Sequence, residues 1–154
     1  MKKQIIAVLL VFCMSITVFP CTILAAEPTD NKVQIITLED GSYITVTIQT
    51  YKTRATQSVT GSKTCRYTNT SGNVDWEIVL WGTFSYTGST SACTASSVDI
   101  SITNNNWYVV SQSASRSYNA AFCNVTMGRK ALGITVEKKD YNLTLLCDKD
   151  GNLS

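Results

Sequence analysis

The chain contains no histidine. That absence removes the commonest general base, the Ser/His/Asp and Cys/His constellations and the usual zinc ligand sets. Charge is scarce as well: charged residues are 16% of the 154, below the roughly 25% of an average soluble domain. Ser, Thr and Asn fill the difference, so the expected surface is polar without being ionic. The surplus of two positive charges is Lys2 and Lys3. From Glu27 onward the chain is neutral and carries no electrostatic footprint for nucleic acid.

Residues 1–26 read as a secretion signal, with basic Lys2 and Lys3, an apolar stretch from Ile5 to Phe19, helix-breaking Pro20, and small Ala25 and Ala26 before Glu27. Cleavage is expected after Ala26. Leu24 is larger than the small residue usual three positions before such a cut, so the alternative is an uncleaved anchor over Ile5 to Ala26, the one route to a membrane. Val18, Phe19 and Pro20 do not supply the small residues that a lipid anchor on Cys21 requires. The expected location is secreted, or on the extracellular face of the envelope.

Cys13 and Cys21 fall in the signal, leaving Cys65, Cys93, Cys123 and Cys147 in the exported part. An even count in an exported chain implies two disulfides. Close CxxC pairs are lacking, so no metal and no cofactor is expected. Spacing alone leaves all three pairings open.

Alternation of apolar and polar residues runs through most of the exported part. Ile44, Val46 and Ile48 alternate with Thr45, Thr47 and Gln49; Val74, Trp76, Ile78, Leu80, Phe84 and Tyr86 share one side of a long strand interrupted by Gly82; Val98, Ile100 and Ile102 share another. Asn104 to Asn106 make a turn. Trp107 to Val110, Tyr118 to Met127, Leu132 to Val136 and Tyr141 to Cys147 follow as strands. The polar Thr53 to Ser62 reads as a loop or linker. These seven or eight strands, without a helix, predict an all-β chain: an antiparallel β-sandwich, immunoglobulin-like or jelly-roll-like, with two disulfides. The expected division is residues 1–26 as signal, 27–62 as an N-terminal extension with a β-hairpin, and 63–154 as the disulfide-bonded sandwich domain.

TFSYTGSTSACTASS at 83–97, Trp107 after an Asn-rich turn, and LTLLCDKDGNLS at the C-terminus carry a resemblance over about residues 63–154. This stretch resembles a family of small secreted β proteins from Gram-positive bacteria, many of them gut Firmicutes, for which no activity is established. The resemblance implies compartment and architecture. It also implies that Cys93 pairs with Cys147, at the family's two cysteine positions, and Cys65 with Cys123, the two additions. Relatives tend to be more basic than this neutral chain.

No residue reads as catalytic. Asp75 and Glu77, two apart on one strand, have the residue types of a glycosidase pair, but such pairs come from separate strands around a cleft; a solvated strand face explains them better. Lys130, Lys138 and Lys139 carry no mark of burial that would make them bases, and Lys138 and Lys139 are expected in a turn. Asp148, Asp150 and Gly151 echo the start of a calcium loop, yet the glycine is misplaced and a plain Asp-Gly turn fits better. Aromatic residues are the remaining candidates, because ring faces on a β scaffold pack against the C–H faces of sugars. Trp76 falls on the core side, whereas Trp81, Trp107 and Tyr108 are the candidate ligand-binding residues. Sequons at Asn69, Asn124, Asn142 and Asn152 matter only in a eukaryotic secretory host. The function expected is a non-catalytic extracellular binding domain, with a glycan or another surface protein as partner; the alternatives are a secreted enzyme using Asp/Glu or Ser/Lys chemistry, and a structural envelope component.

Overall fold

The computed structural model describes residues 30–52 and 57–154; the expected signal, residues 1–26, lies outside them. Eight antiparallel strands follow in order: β1 (Asp30–Thr37), β2 (Tyr43–Lys52), β3 (Ser58–Thr68), β4 (Val74–Tyr86), β5 (Ser91–Ile102), β6 (Trp107–Ser117), β7 (Ala120–Ala131) and β8 (Ile134–Leu146). They form a five-stranded sheet, β1-β2-β3-β4-β5, and a three-stranded sheet, β6-β7-β8. The described residues are all-β, as expected, and the two sheets pack as a sandwich. Within each sheet every neighbour is also the next strand in sequence. Immunoglobulin-like and jelly-roll topologies both need Greek-key connections, so this double meander corrects that part of the expectation.

The even positions of β4 supply the centre of the interior: Trp76, Ile78, Leu80 and Phe84 are fully buried. Opposite them β7 contributes Ala121, Cys123, Val125 and Met127, and β8 contributes Tyr141, Leu143 and Leu145. β8 packs over β3 and β4, and β7 over β4 and β5. Trp76 is the hub of an aromatic cluster, with ring centroids 5.6 Å from Tyr67, 6.0 Å from Trp107 and 4.6 Å from Tyr141. Gly82 interrupts this face for a packing reason. A Cβ there would meet the Phe84 ring at 2.6 Å and Ala121 at 3.2 Å, and the register shifts next to it, between Thr83 and Phe84.

Two segments differ from the sequence reading. Ser58 to Ser62, read as part of a polar linker, opens β3, which is hydrogen-bonded to both β2 and β4; residues 53–56 lie outside the described residues. The expected division at residues 62 and 63 therefore falls inside β3, and β1 and β2 belong to the same sheet as β4. In addition, β6 runs on to Ser117 through a polar stretch, because its second half is exposed on both faces. Leu132 and Gly133, both at positive φ, make the tight β7–β8 turn, the conformation a two-residue hairpin requires. Lys138 and Lys139 lie within β8 rather than in a turn.

Candidate functional site

Register places every second residue of β2 to β5 on the outer face of the larger sheet. Gln49, Ser62, Trp81 and Ser97 form one cross-strand row, and Tyr51, Thr60, Thr83 and Ala95 the next. From β4 the Trp81 indole donates Nε1–H to Asp99 Oδ2 at 3.0 Å, fixing the ring's orientation. From β2 the Tyr51 ring lies against it, centroids 5.9 Å apart and tilted by 33°, while the Tyr51 hydroxyl donates to Gln49 Oε1 at 2.9 Å. Both rings are half-buried. Between them on β3, Ser62 is 1% exposed and its hydroxyl has no hydrogen-bond partner, an arrangement that a purely solvated strand face does not produce.

Two depressions flank this ring pair. One, of about 230 Å³, is lined by Thr45, Thr47, Gln49, Thr64, Arg66 and Glu77. The other, of about 130 Å³, lies beside Trp81, where Thr83, Ala95 and Ser97 are small enough to leave room. Charge on the face is sparse: Arg66 Nε donates to Glu77 Oε2 at 2.6 Å, and the Asp99 carboxylate accepts from the indole.

The three aromatic candidates are not brought together. Trp81 stands on this outer face. Trp107 is buried, with Nε1–H donated to Asp75 Oδ2 at 3.0 Å and the Arg129 guanidinium 5.8 Å from its ring centroid. Tyr108 is on the smaller sheet, its hydroxyl 2.8 Å from Thr135 Oγ1 and Lys130 Nζ 4.7 Å from its ring centroid. Tyr51, which the sequence reading passed over, is the ring that joins Trp81. Its place on the same side of the strand as Gln49 was visible; its proximity to Trp81 depends on the β2–β3–β4 register.

Asp75 and Glu77 diverge. The ladder to β3 shifts between Tyr67 and Thr68, leaving Asp75 out, and its buried carboxylate accepts from Asn69 Nδ2 at 2.8 Å as well as from Trp107. Glu77 stays outside with Arg66. The lysine most affected by burial is Lys63, pushed to a lower pKa and donating to the Thr144 carbonyl at 2.9 Å. Asp148 serves its own turn: Oδ1 accepts from the backbone N–H groups of Asp150 and Asn152, and Oδ2 from the Asn152 amide. These hydrogen bonds, the Asn152 side chain's first, hold its pKa down. Among the described residues no cluster of three or more Cys, Asp or Glu stands close enough to hold a metal ion.

The expected disulfides are not formed in this structure: Cys65, Cys93, Cys123 and Cys147 are free and buried thiols. Their placement is nonetheless pairwise. Cys93 N–H donates to the Tyr118 carbonyl at 2.7 Å and Cys147 N–H to the adjacent Asn119 carbonyl at 3.0 Å, while Ser91 Oγ reaches the Cys147 carbonyl at 2.7 Å. Cys65 on β3 and Cys123 on β7 both face the interior. Burial pushes the Cys65 thiol up to about 12, with neighbouring Cys123 adding to it; burial, then Asp148 and Cys93, push Cys147 up to about 11.

Comparison with protein-family models, with curated proteins and with solved structures finds no match to this chain.

Proposed function

We propose that this chain is an exported, non-catalytic recognition domain that works through the outer face of its five-stranded sheet. The observation that carries the reading is the Trp81–Tyr51 pair, two large half-buried rings held by Asp99 and Gln49 on a face whose other side chains on β2 to β5 are mostly Ser, Thr and Gln. Exposed aromatic groups with a few fixed polar neighbours are the usual composition of a binding surface. The chemical side of an enzyme reading has less support, since the two strand carboxylates are engaged in separate interactions.

Export and cysteine oxidation belong to the same reading. Cys93 with Cys147 and Cys65 with Cys123 are the proposed bonds, supported by the adjacent Tyr118 and Asn119 carbonyls that accept from Cys93 and Cys147, and by a closeness in which Cys123 helps to raise the Cys65 pKa and Cys93 that of Cys147. Each bond forms as two thiols lose two protons, with two electrons passing to a disulfide-forming oxidant of the export compartment. The resemblance to small secreted Gram-positive proteins fits this compartment.

The test is attachment of the labelled, secreted chain to intact Gram-positive and epithelial cells. Trp81→Ala and Tyr51→Ala should each weaken attachment about tenfold while leaving thermal unfolding close to that of the parent. Attachment that is absent, or indifferent to both substitutions, contradicts the reading.

A further inference from the structure

We infer that the ligand of this face is an uncharged polysaccharide chain, an inference that rests on the recognition reading above. Charge is the first argument. Among the described outer residues of β2 to β5 the one cation, Arg66, is committed to Glu77, and the Asp99 carboxylate is committed to the indole. A polyanion requires unpaired Arg or Lys, and none is offered there.

Apolar content is the second. Aliphatic side chains larger than alanine are few on this face, with Val79 in its middle, Val74 at the bulged start of β4, and Val33 and Ile35 on edge strand β1, whereas the centre of a protein-binding patch is more apolar than the surface around it. What the face does present is a pair of rings for the C–H side of a pyranose, surrounded by the hydroxyls of Thr45, Thr47 and Thr64 and the Gln49 amide. Such groups both donate and accept, as sugar hydroxyls do.

Shape is the third. The depressions of about 230 Å³ and about 130 Å³ lie on different flanks of the ring pair, so the surface accommodates successive units of a polymer rather than one enclosed sugar. Tyr51 and Trp81 supply the stacking platform, and the Arg66–Glu77 pair supplies directional hydrogen bonds at the far end of the larger trough.

The experiment is affinity electrophoresis of the secreted, full-length chain in gels containing a soluble neutral β-linked glucan, a neutral mannan or polygalacturonate. Retardation by a neutral polymer, insensitive to salt and weakened about tenfold by Trp81→Ala or Tyr51→Ala, is the expected result. Tyr118→Ala, which removes a far more exposed ring at the β6–β7 turn, should change nothing. No retardation by either neutral polymer, or retardation by polygalacturonate alone with strong salt dependence, overturns the inference. Cell attachment that still requires Trp81 but is not competed by the neutral polymers overturns it too, and leaves the recognition reading standing.

Discussion

Asp75 shows how much one side chain holds in this protein. Its two oxygens accept from Asn69 and from Trp107, tying the β3–β4 turn to the first residue of β6. Replacing it with alanine strands a buried indole N–H and an amide, and the expected loss is about 2–3 kcal/mol, read as a lowered denaturation midpoint with an unchanged slope. Asp75→Asn, which keeps an acceptor oxygen, should lose less. A second residue-scale expectation concerns the thiols. In the reduced chain Cys65 and Cys147 have folded pKa values raised to about 12 and about 11. A raised acid pKa contributes stability that is complete below the unfolded value, near 9, and is lost as pH climbs toward the folded one. Reduced protein should therefore become less stable as pH rises above about 9, and the part due to these thiols should vanish once they are oxidised; urea unfolding of both forms across that range checks it. Trp76 and Trp107 were both open to a period-two reading, but only Trp76 could be placed. Trp76 sits in a run whose apolar side is plain, while Trp107 begins a strand whose polar remainder gives no hint of an inward face.

Among the elements, β4 was the most legible, because its core side is apolar at nearly every even position and no other register buries it. β3 was the least. Its residues Gly61, Ser62, Lys63 and Thr64 carry no alternation, since Leu153 fills the inner space at Gly61 and Lys63 reaches the Thr144 carbonyl, while Tyr51 and Trp81 stand on the outer side; pairing on both sides makes it a strand. β1 raises a separate matter. It is an edge strand with Val33 and Ile35 more than half exposed, the type of edge that invites pairing with another chain. Ile35→Lys should leave the unfolding free energy within about 0.5 kcal/mol of the parent and reduce self-association at high concentration, measured by light scattering. A large loss of stability would mean that β1 contributes more to the fold than its exposure indicates.

At the scale of the whole molecule, the two sheets share one interior and a single chain connection, from β5 to β6. A Cys65–Cys123 bond joins the larger sheet to the smaller through that interior, and a Cys93–Cys147 bond fastens the start of β5 to the end of β8. Each closes a loop for which the chain-entropy model gives about 4 kcal/mol, so non-reducing peptide mapping should recover these two linked pairs, and reduction should lower the melting temperature sharply. Any other connectivity would contradict the proposed pairing. The all-β class and the core side of most strands were readable from alternation; the proposed face was not, because it is assembled from β2, β3, β4 and β5 by register. The three tryptophans offer the most direct test of that face. Trp76 and Trp107 are buried and Trp81 is half-exposed, so acrylamide quenching reports chiefly on Trp81. In the presence of solubilised surface material that the chain binds, the quenchable emission should be shielded, and Trp81→Phe should abolish both that emission and its shielding. Binding that leaves the Trp81 emission fully open to acrylamide would place recognition elsewhere on the molecule and contradict the account.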